Sequence, residues 1–305
     1  MSLVSMFKGK GPSGFGYGST AEEVSAGLDL SGRAYLVTGA NSGIGEETAR
    51  VLALRGATVL CAARDQAKAD AAAAKLGGAS RGVACELSEP SSVRAAVAAV
   101  RDAAPLAGIV ANAGIMALPE RQLRHGLELQ FFTNHVGHFV LVTGLLDRLD
   151  ADGRVVVLSS AAHRQAPPGG IDFDNLDSSK SYAPWTAYGR SKLANLLFAR
   201  ALARRLPPGQ TANAVHPGVI ATNLTRHMPG AMRAVWAAAE PLFLKSIPQG
   251  AATQTWAAVH PGAAALRGEY LADVNVATST AEGQDLGLAE RLWVETERIV
   301  AGLAG

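Results

Sequence analysis

Short apolar runs alternate with amphipathic stretches along most of the chain. Arg33 to Thr38 (RAYLVT) is an apolar run bounded by glycines and predicts a buried strand. Ile44 to Arg55 predicts a helix, Ala57 to Ala62 (ATVLCA) a strand, and Gln66 to Leu76 an alanine-rich helix. Gly82 to Cys85 is a short strand, and Ser88 to Ala103 a helix with Ser88 and Ser91 as competing N-caps. Leu106 to Ala111 is a strand. Leu123 to Leu149 reads as one long helix or two abutting ones, and Arg154 to Ser159 (RVVVLS) is the plainest strand. Thr186 to Leu206 is a helix ended by Pro207-Pro208, Thr211 to Val215 a strand, and Gly268 to Ala272 the last strand. This alternation, with near-continuous apolar strands, predicts an α/β fold: one doubly wound parallel sheet of about seven strands with helices on both faces. No composition break divides residues 31–305, which read as a single domain.

Residues 1–30 read as a separate N-terminal arm. The stretch from Gly9 to Gly18 is too glycine-rich for a helix or a strand interior. Gly9, Gly11 and Gly14 formally spell G-x-G-x-x-G, but no strand precedes them, and that fingerprint has meaning only between a strand and a helix. Ser19-Thr20-Ala21-Glu22-Glu23 reads as a capped short helix.

Composition narrows the class. Of 305 residues 48% are hydrophobic and 18% charged, which excludes disorder as the main state. A chain of this length buries roughly three quarters of its unfolded surface without staples. Its 28 Lys and Arg against 26 Asp and Glu leave +2, which is no nucleic-acid footprint. Cys61 and Cys85 cannot build a disulfide framework and suggest a reducing, cytoplasmic setting. No apolar run reaches 18 residues, so no transmembrane helix is expected, nor does the start carry the apolar core of a signal peptide.

The first predicted strand runs into Thr38-Gly39-Ala40-Asn41-Ser42-Gly43-Ile44-Gly45, and a helix follows at once. Glycines allow a tight turn, let backbone approach a pyrophosphate, and let helix and strand pack closely. The helix N-terminus offers free N–H groups and partial positive charge to that anion. The second strand should write the choice of dinucleotide. An acid there would hold the ribose hydroxyls of NAD; here Ala63 stands at the strand end and Arg64 follows, a guanidinium that suits the extra phosphate of NADP. NADP(H) is therefore the expected cofactor, with NAD(H) possible. Asp65 is placed to compete or to pair with Arg64, which could instead be a solvated helix-start residue.

These features, with Asn112-Ala113-Gly114 after the fourth strand, Asn134, Ser160, Tyr188-Gly189-Arg190-Ser191-Lys192, and Pro217-Gly218-Val219-Ile220-Ala221-Thr222 after the sixth, resemble the short-chain dehydrogenase/reductase family over roughly residues 30–305. Asn134-His135-Val136-Gly137-His138-Phe139, Ser159-Ser160-Ala161-Ala162-His163 and Ser191-Lys192-Leu193-Ala194-Asn195 resemble the branch of retinol dehydrogenases and WW-domain oxidoreductases. One departure is Glu86-Leu87, where the family usually carries Asp-Leu or Asp-Val beside adenine; another is Ala111 ahead of the intact N-A-G.

The resemblance implies a Rossmann-fold oxidoreductase that interconverts a carbonyl and an alcohol. It implies that Tyr188 moves the proton, Lys192 tunes Tyr188 and holds the nicotinamide ribose, Ser160 steadies the substrate oxygen, and Asn134 supports a water leading to Lys192. Tyr188 and Lys192 lie four apart on one helix face. A free phenol near pKa 10 is too weak a base at neutral pH, and a neighbouring ammonium would lower that value. Ser159 is the rival of Ser160. Gly39, Asn41, Ser42, Gly43, Ile44, Gly45, Arg64, Glu86, Leu87, Asn112, Ala113, Gly114, Pro217, Gly218, Ile220 and Thr222 are the implied dinucleotide contacts, with Tyr188 and Lys192. The segment at about 219–248 would close over the substrate, and its Met, Trp, Leu and Phe content points to a hydrophobic alcohol, aldehyde or ketone. The other readings are reduction of an activated C=C bond, as in protochlorophyllide reductases, and a dinucleotide-sensing protein without turnover.

The remaining candidates read as structure. His135 and His138 lack a third ligand nearby and read as core packing rather than zinc ligands. The excursion from His163 to Ala183 is longer than usual in the family, and its Asp172, Asp174 and Asp177 lack EF-hand spacing, so no metal is expected. The family pairs its long helices across a two-fold axis, here Leu123–Leu149 and Thr186–Leu206, which implies a homodimer or homotetramer.

Overall fold

The computed structural model describes residues 9–220 and 244–303. Thr222 and most of the 219–248 segment lie outside the described residues. The chain runs α1 (Ala21–Val24), β1 (Ala34–Thr38), α2 (Gly43–Leu54), β2 (Thr58–Ala63), α3 (Gln66–Leu76), β3 (Arg81–Ala84), α4 (Pro90–Arg101) and β4 (Leu106–Ala111). A small hairpin, β5 (Leu123–Arg124) and β6 (Leu127–Glu128), leads into α5 (Leu129–Phe131), a π-turn over Phe132–Val136 and α6 (Gly137–Thr143). Then come β7 (Leu149–Leu158), α7 (Pro184–Arg205), β8 (Thr211–His216), α8 (Ile247–Val259), β9 (Tyr270–Ala272), β10 (Asn275–Val276), α9 (Ala281–Gln284) and α10 (Leu286–Gly302).

Eight strands form the main sheet in the order β10-β9-β8-β7-β4-β1-β2-β3. All its pairings are parallel except β9–β10. Side chains alternate between the two faces. Tyr35, Val37, Val59, Val110 and Val215 pack with α2, α3 and α8. Leu36, Leu60, Ile109, Val155 and Val157 pack with α4, α6, α7 and α10 on the other face. Chain order reverses between β1 and β4, so a crevice opens beyond their carboxyl ends.

The expected sheet of about seven strands gains an eighth because Asp273 (φ 50°) and Val274 (φ 63°) turn the chain back antiparallel. Both central residues are left-handed, the geometry of a tight hairpin turn. The helix expected from Leu123 is corrected: His125 (φ 49°) and Gly126 (φ 79°) make another such turn, and Glu128 then caps the helix by accepting from the Gln130 and Phe131 amides. Neither Ser88 nor Ser91 caps α4; Glu89 stands at the N-cap, with Pro90 in the first turn. Residues 9–30 lie against the domain. Asn275 accepts from the Ser13 amide (3.0 Å) and donates to the Phe15 carbonyl (3.1 Å), while Ala21 and Val24 of α1 are buried.

One side of α7, a helix expected to pair with a second copy, is covered by the chain itself. Helix α10 lies along α7, where Trp293 stacks on Phe198 (5.8 Å) and meets Phe139 edge-on (4.9 Å). A second copy cannot reach that side of α7 without displacing α10.

Candidate active site

A cleft of about 720 Å³ opens at the carboxyl ends of the central strands. Its floor is the turn after β1. Gly39 (φ 68°) and Gly43 (φ 59°) take left-handed conformations. A Cβ at Gly45 would stand 2.3 Å from the Gly39 carbonyl oxygen and 2.4 Å from Asn112 Nδ2, so only glycine lets α2 settle onto the strand ends. A Cβ at Gly43, by contrast, would meet nothing within 4 Å. Ser42 makes no side-chain cap bond to α2. An open glycine cradle at an uncapped helix start fits a dinucleotide pyrophosphate. Gly39, Asn41, Ser42, Gly43 and Ile44 line the cleft, and Gly45 sits beneath it.

At one end stand Ala63, Arg64, Lys68, Glu86 and Leu87. Arg64 Nε is 3.3 Å from Glu86 Oε2, and Asp65 instead caps α3 and pairs with Lys68 (2.5 Å). The expected contest between Asp65 and Arg64 is thus decided in favour of Glu86 as the arginine's partner. Lys68 is a second cation that sequence reasoning missed; its signal was its place in the first turn of the helix that follows Arg64.

Asn112, Ala113 and Gly114 form the middle of the cleft wall. Thr38 Oγ1 accepts from the Asn112 and Ala113 amides (both 2.9 Å), and Asn112 Nδ2 donates to the Thr38 carbonyl (2.8 Å). Gln254 of α8, also missed, donates to Asn112 Oδ1 (3.3 Å) and Thr48 Oγ1 (2.5 Å). A Cβ at Gly114 would meet Asn134 Oδ1 at 3.0 Å and Lys192 Nζ at 3.5 Å, so this glycine admits both groups to the wall.

Helix α7 brings Tyr188 and Lys192 to the same place. Both are buried; Lys192 Nζ lies 5.6 Å from the Tyr188 ring centroid and donates to the Leu158 carbonyl (3.0 Å), which also accepts from Asn195 Nδ2 (3.0 Å). Tyr188 and Ser160 line the cleft together. Both serines line the cleft; the Ser159 hydroxyl is engaged in donating to the Lys192 carbonyl (2.7 Å), whereas Ser160 Oγ accepts from the Ala162 amide (3.1 Å). Asn134 sits in the π-turn. Its side chain accepts from the Ile115 amide (2.8 Å) and donates to the Ile115 carbonyl and to Ser191 Oγ (both 2.9 Å).

The electrostatics differ from expectation. Burial pushes the Tyr188 phenol up to about 12, and the neighbouring Ser160 side chain pulls the other way. Burial penalises the ammonium as well and brings Lys192 down to about 8.

After β8, Pro217, Gly218 and Ile220 line the cleft as well. The Gly218 backbone (φ 90°) packs against the Lys245 stem, where a Cβ would stand 2.6 Å from Cδ. Trp185, Met116 and Val219 form a partly exposed apolar rim. The long excursion is held by Arg190 of α7. This buried guanidinium donates to the Asn175 carbonyl (2.6 Å), the Leu176 carbonyl (3.2 Å) and Ser178 Oγ (2.9 Å), with Glu128 at 3.8 Å. Asp172 caps a 3₁₀ turn and Asp177 pairs with Arg121. His135 meets Thr296 Oγ1 (2.9 Å) in the core, as packing predicts. Cys61 and Cys85 are buried free thiols. Among the described residues no helix is long and apolar enough to cross a membrane.

A family model described as short chain dehydrogenase matches residues 33–173. The Brassica napus protein named short-chain dehydrogenase TIC 32 A, chloroplastic, is 39% identical over 99% of this chain and 100% of its own length. Retinol dehydrogenase 12 of Mus musculus is 40% identical over 87% of this chain and 85% of its own. The WW domain-containing oxidoreductase of Pongo abelii is 38% identical over 92% and 71%. A solved structure from Mycobacterium Paratuberculosis superposes with a TM-score of 0.74 at 34% identity, over 93% of this chain and 98% of that one. A short-chain dehydrogenase from Burkholderia cenocepacia J2315, solved in complex with NADP, gives 0.64 at 26% over 81% and 98%. With its doubly wound sheet, glycine turn and matching relatives over nearly its whole length, the chain belongs to the short-chain dehydrogenase/reductase family of NAD(P)-dependent oxidoreductases, in the branch of the retinol dehydrogenases and the WW domain-containing oxidoreductase.

Proposed function

We propose that this protein is an NADP(H)-dependent reductase and dehydrogenase of hydrophobic carbonyl compounds and their alcohols. The observation that carries the reading is the meeting of Tyr188 and Ser160 in the same cleft as the open glycine cradle, with Lys192 behind the phenol. The glycine turn and the Asn112–Gly114 wall would hold the dinucleotide, and Arg64 with Lys68 would take the phosphate that distinguishes NADP. When bound, the nicotinamide supplies the hydride for reduction or accepts it in oxidation.

The chain's own residues do the rest. Tyr188 gives its hydroxyl proton to the carbonyl oxygen as that oxygen gains charge, and Ser160 hydrogen-bonds the same oxygen. Lys192 supports the phenol from behind. Without ligand the phenol is held firmly protonated, the state that reduction requires. Met116, Trp185 and Val219 at the mouth favour an apolar substrate, in keeping with the retinol dehydrogenases among the relatives. The two free buried thiols support a reducing compartment. The test is a screen of hydrophobic aldehydes, ketones and alcohols with NADPH and NADP, with product analysis. Alcohol formation from carbonyls is expected. Saturation of a C=C bond would favour the alternative reductase, and NADPH binding without turnover of any carbonyl would favour a sensor.

A further inference from the structure

His138 lies four residues after Asn134 and is fully buried. Its Nδ1 is 2.9 Å from the Asn134 backbone carbonyl oxygen, and its Nε2 is 2.9 Å from Thr38 Oγ1. A carbonyl oxygen only accepts, so Nδ1 carries a hydrogen. At the other end, Thr38 Oγ1 already accepts two amides, from Asn112 and Ala113, which occupies both hydroxyl lone pairs. Its own hydrogen must therefore point outward, and Nε2 at 2.9 Å is a nearer acceptor than the Val110 carbonyl at 3.5 Å. Both ends demand the same neutral tautomer.

Electrostatics agree. Burial lowers His138 to about 4, the hydrogen bond to Asn134 opposes this, and the charge of Lys192 adds to the lowering. The other titratable neighbour, His135, is itself brought down to about 3 by burial. Packing alone does not account for His138. His135, a few residues away, engages only its Nε2, and its Nδ1 has no partner among the described residues. His138 uses both ring nitrogens.

We propose that His138 is a positioning residue that locks the cofactor wall to the proton-transfer helix. The hydrogen bonds run one way, from the Ala113 and Asn112 amides to Thr38, from Thr38 to Nε2, and from Nδ1–H to the Asn134 carbonyl. The Asn134 side chain continues to Ser191 Oγ (2.9 Å), which donates to the Tyr188 carbonyl (2.8 Å). Loop Asn112–Gly114 and the turn of α7 that carries Tyr188 thus share one polar spine. The inference rests on the reading of these parts as the cofactor wall and the proton donor.

Three measurements test it. His138→Phe keeps a ring of similar size and removes donor and acceptor; His138→Gln keeps one of each. His138→Phe should raise the NADPH dissociation constant several-fold and lower kcat by about ten- to a hundredfold, as expected for groups shifted out of line. His138→Gln should hold both within about threefold, because its amide can accept from Thr38 and donate to Asn134. A Phe variant within about twofold of wild type in both, or a folded Gln variant as impaired as Phe, would overturn the proposal. The nitrogen NMR spectrum of wild-type imidazoles needs no variant to fold. It should show the His138 ring as the Nδ1–H tautomer at neutral pH, unchanged down to about pH 5 given its lowered pKa, beside a second Nδ1–H ring, His163, whose contacts to Ser160 and Thr280 require the same form; an Nε2–H tautomer or an imidazolium at the assigned His138 overturns it. Nucleotide binding and tautomer are both read without turnover, so a wrong substrate class would leave them standing.

Discussion

Replacing Lys192 with Met should make the protein more stable at neutral pH while disabling it. Lys192 is buried, and burial lowers it from its ordinary 10.5 to about 8. At pH 7 the folded state still carries the charge. Holding it there costs about 3 kcal/mol relative to the unfolded chain, by the conversion of pKa to free energy. The folded pKa lies below the unfolded one, so the unfolded chain binds more protons between pH 8 and 10.5, and wild-type stability from this group rises with pH across that window. Met removes the charge and keeps much of the length. The lost hydrogen bond to Leu158 returns about 1 kcal/mol of destabilisation, and no more, because Asn195 still donates to that carbonyl. The net gain is about 2 kcal/mol, or about 3 °C in Tm for a chain of this size. Thermal melts of both proteins without nucleotide, from pH 7 to pH 10.5, read the difference. The gap should be widest at pH 7 and should close as wild-type Lys192 loses its proton. A variant that melts below wild type at pH 7, or a gap that ignores pH, refutes the reasoning. The same variant should lose turnover and bind NADPH more weakly, a trade of activity against stability.

Tyr188→Phe should bind NADPH near-normally and lose about 10²–10⁴-fold in kcat, the range for a missing general acid; steady-state kinetics with chemistry rate-limiting checks it, and retention of a tenth of turnover contradicts the assignment. Ala63→Asp places a carboxylate at the end of β2 beside Glu86 and should move the preference from NADP toward NAD by about tenfold, read as the ratio of dissociation constants. Intact protein should run as a monomer in light scattering. Deleting residues 285–305 should drive association by uncovering Phe139 and Phe198, and a stable dimer of the intact chain would count against the covered face.

The central sheet was legible because its strands are short apolar runs such as Leu106–Ala111 and Arg154–Leu158, broken by glycine or proline. The cleft was legible for a related reason: the roles of Gly39, Gly43, Asn112 and Tyr188 depend on spacing from strand ends and along one helix. What stayed hidden depends on contacts distant in sequence. The turn at Asp273-Val274 carries no glycine, and a β-branched residue at positive φ has no local signature. Gly126 did offer a turn signal, outweighed by the apolar run that follows it. The docking of residues 9–30 comes from the far side of the chain, through Asn275. The raised phenol and the lowered ammonium arise from burial of both together, whereas spacing on a helix wheel shows only that they are neighbours.

Arg190 has a consequence for how substrate preference can be redesigned. The excursion beside the cleft hangs from a guanidinium two residues after Tyr188, so the loop and the proton donor are mounted on one bracket. A transplanted loop from a relative must present two backbone carbonyls and a hydroxyl where Asn175, Leu176 and Ser178 now offer them. One that fails to do so leaves a buried cation without acceptors and strains the helix under Tyr188. Loop grafts should therefore succeed as pairs with a matched residue at position 190, and loop length alone is a poor guide to which grafts will work.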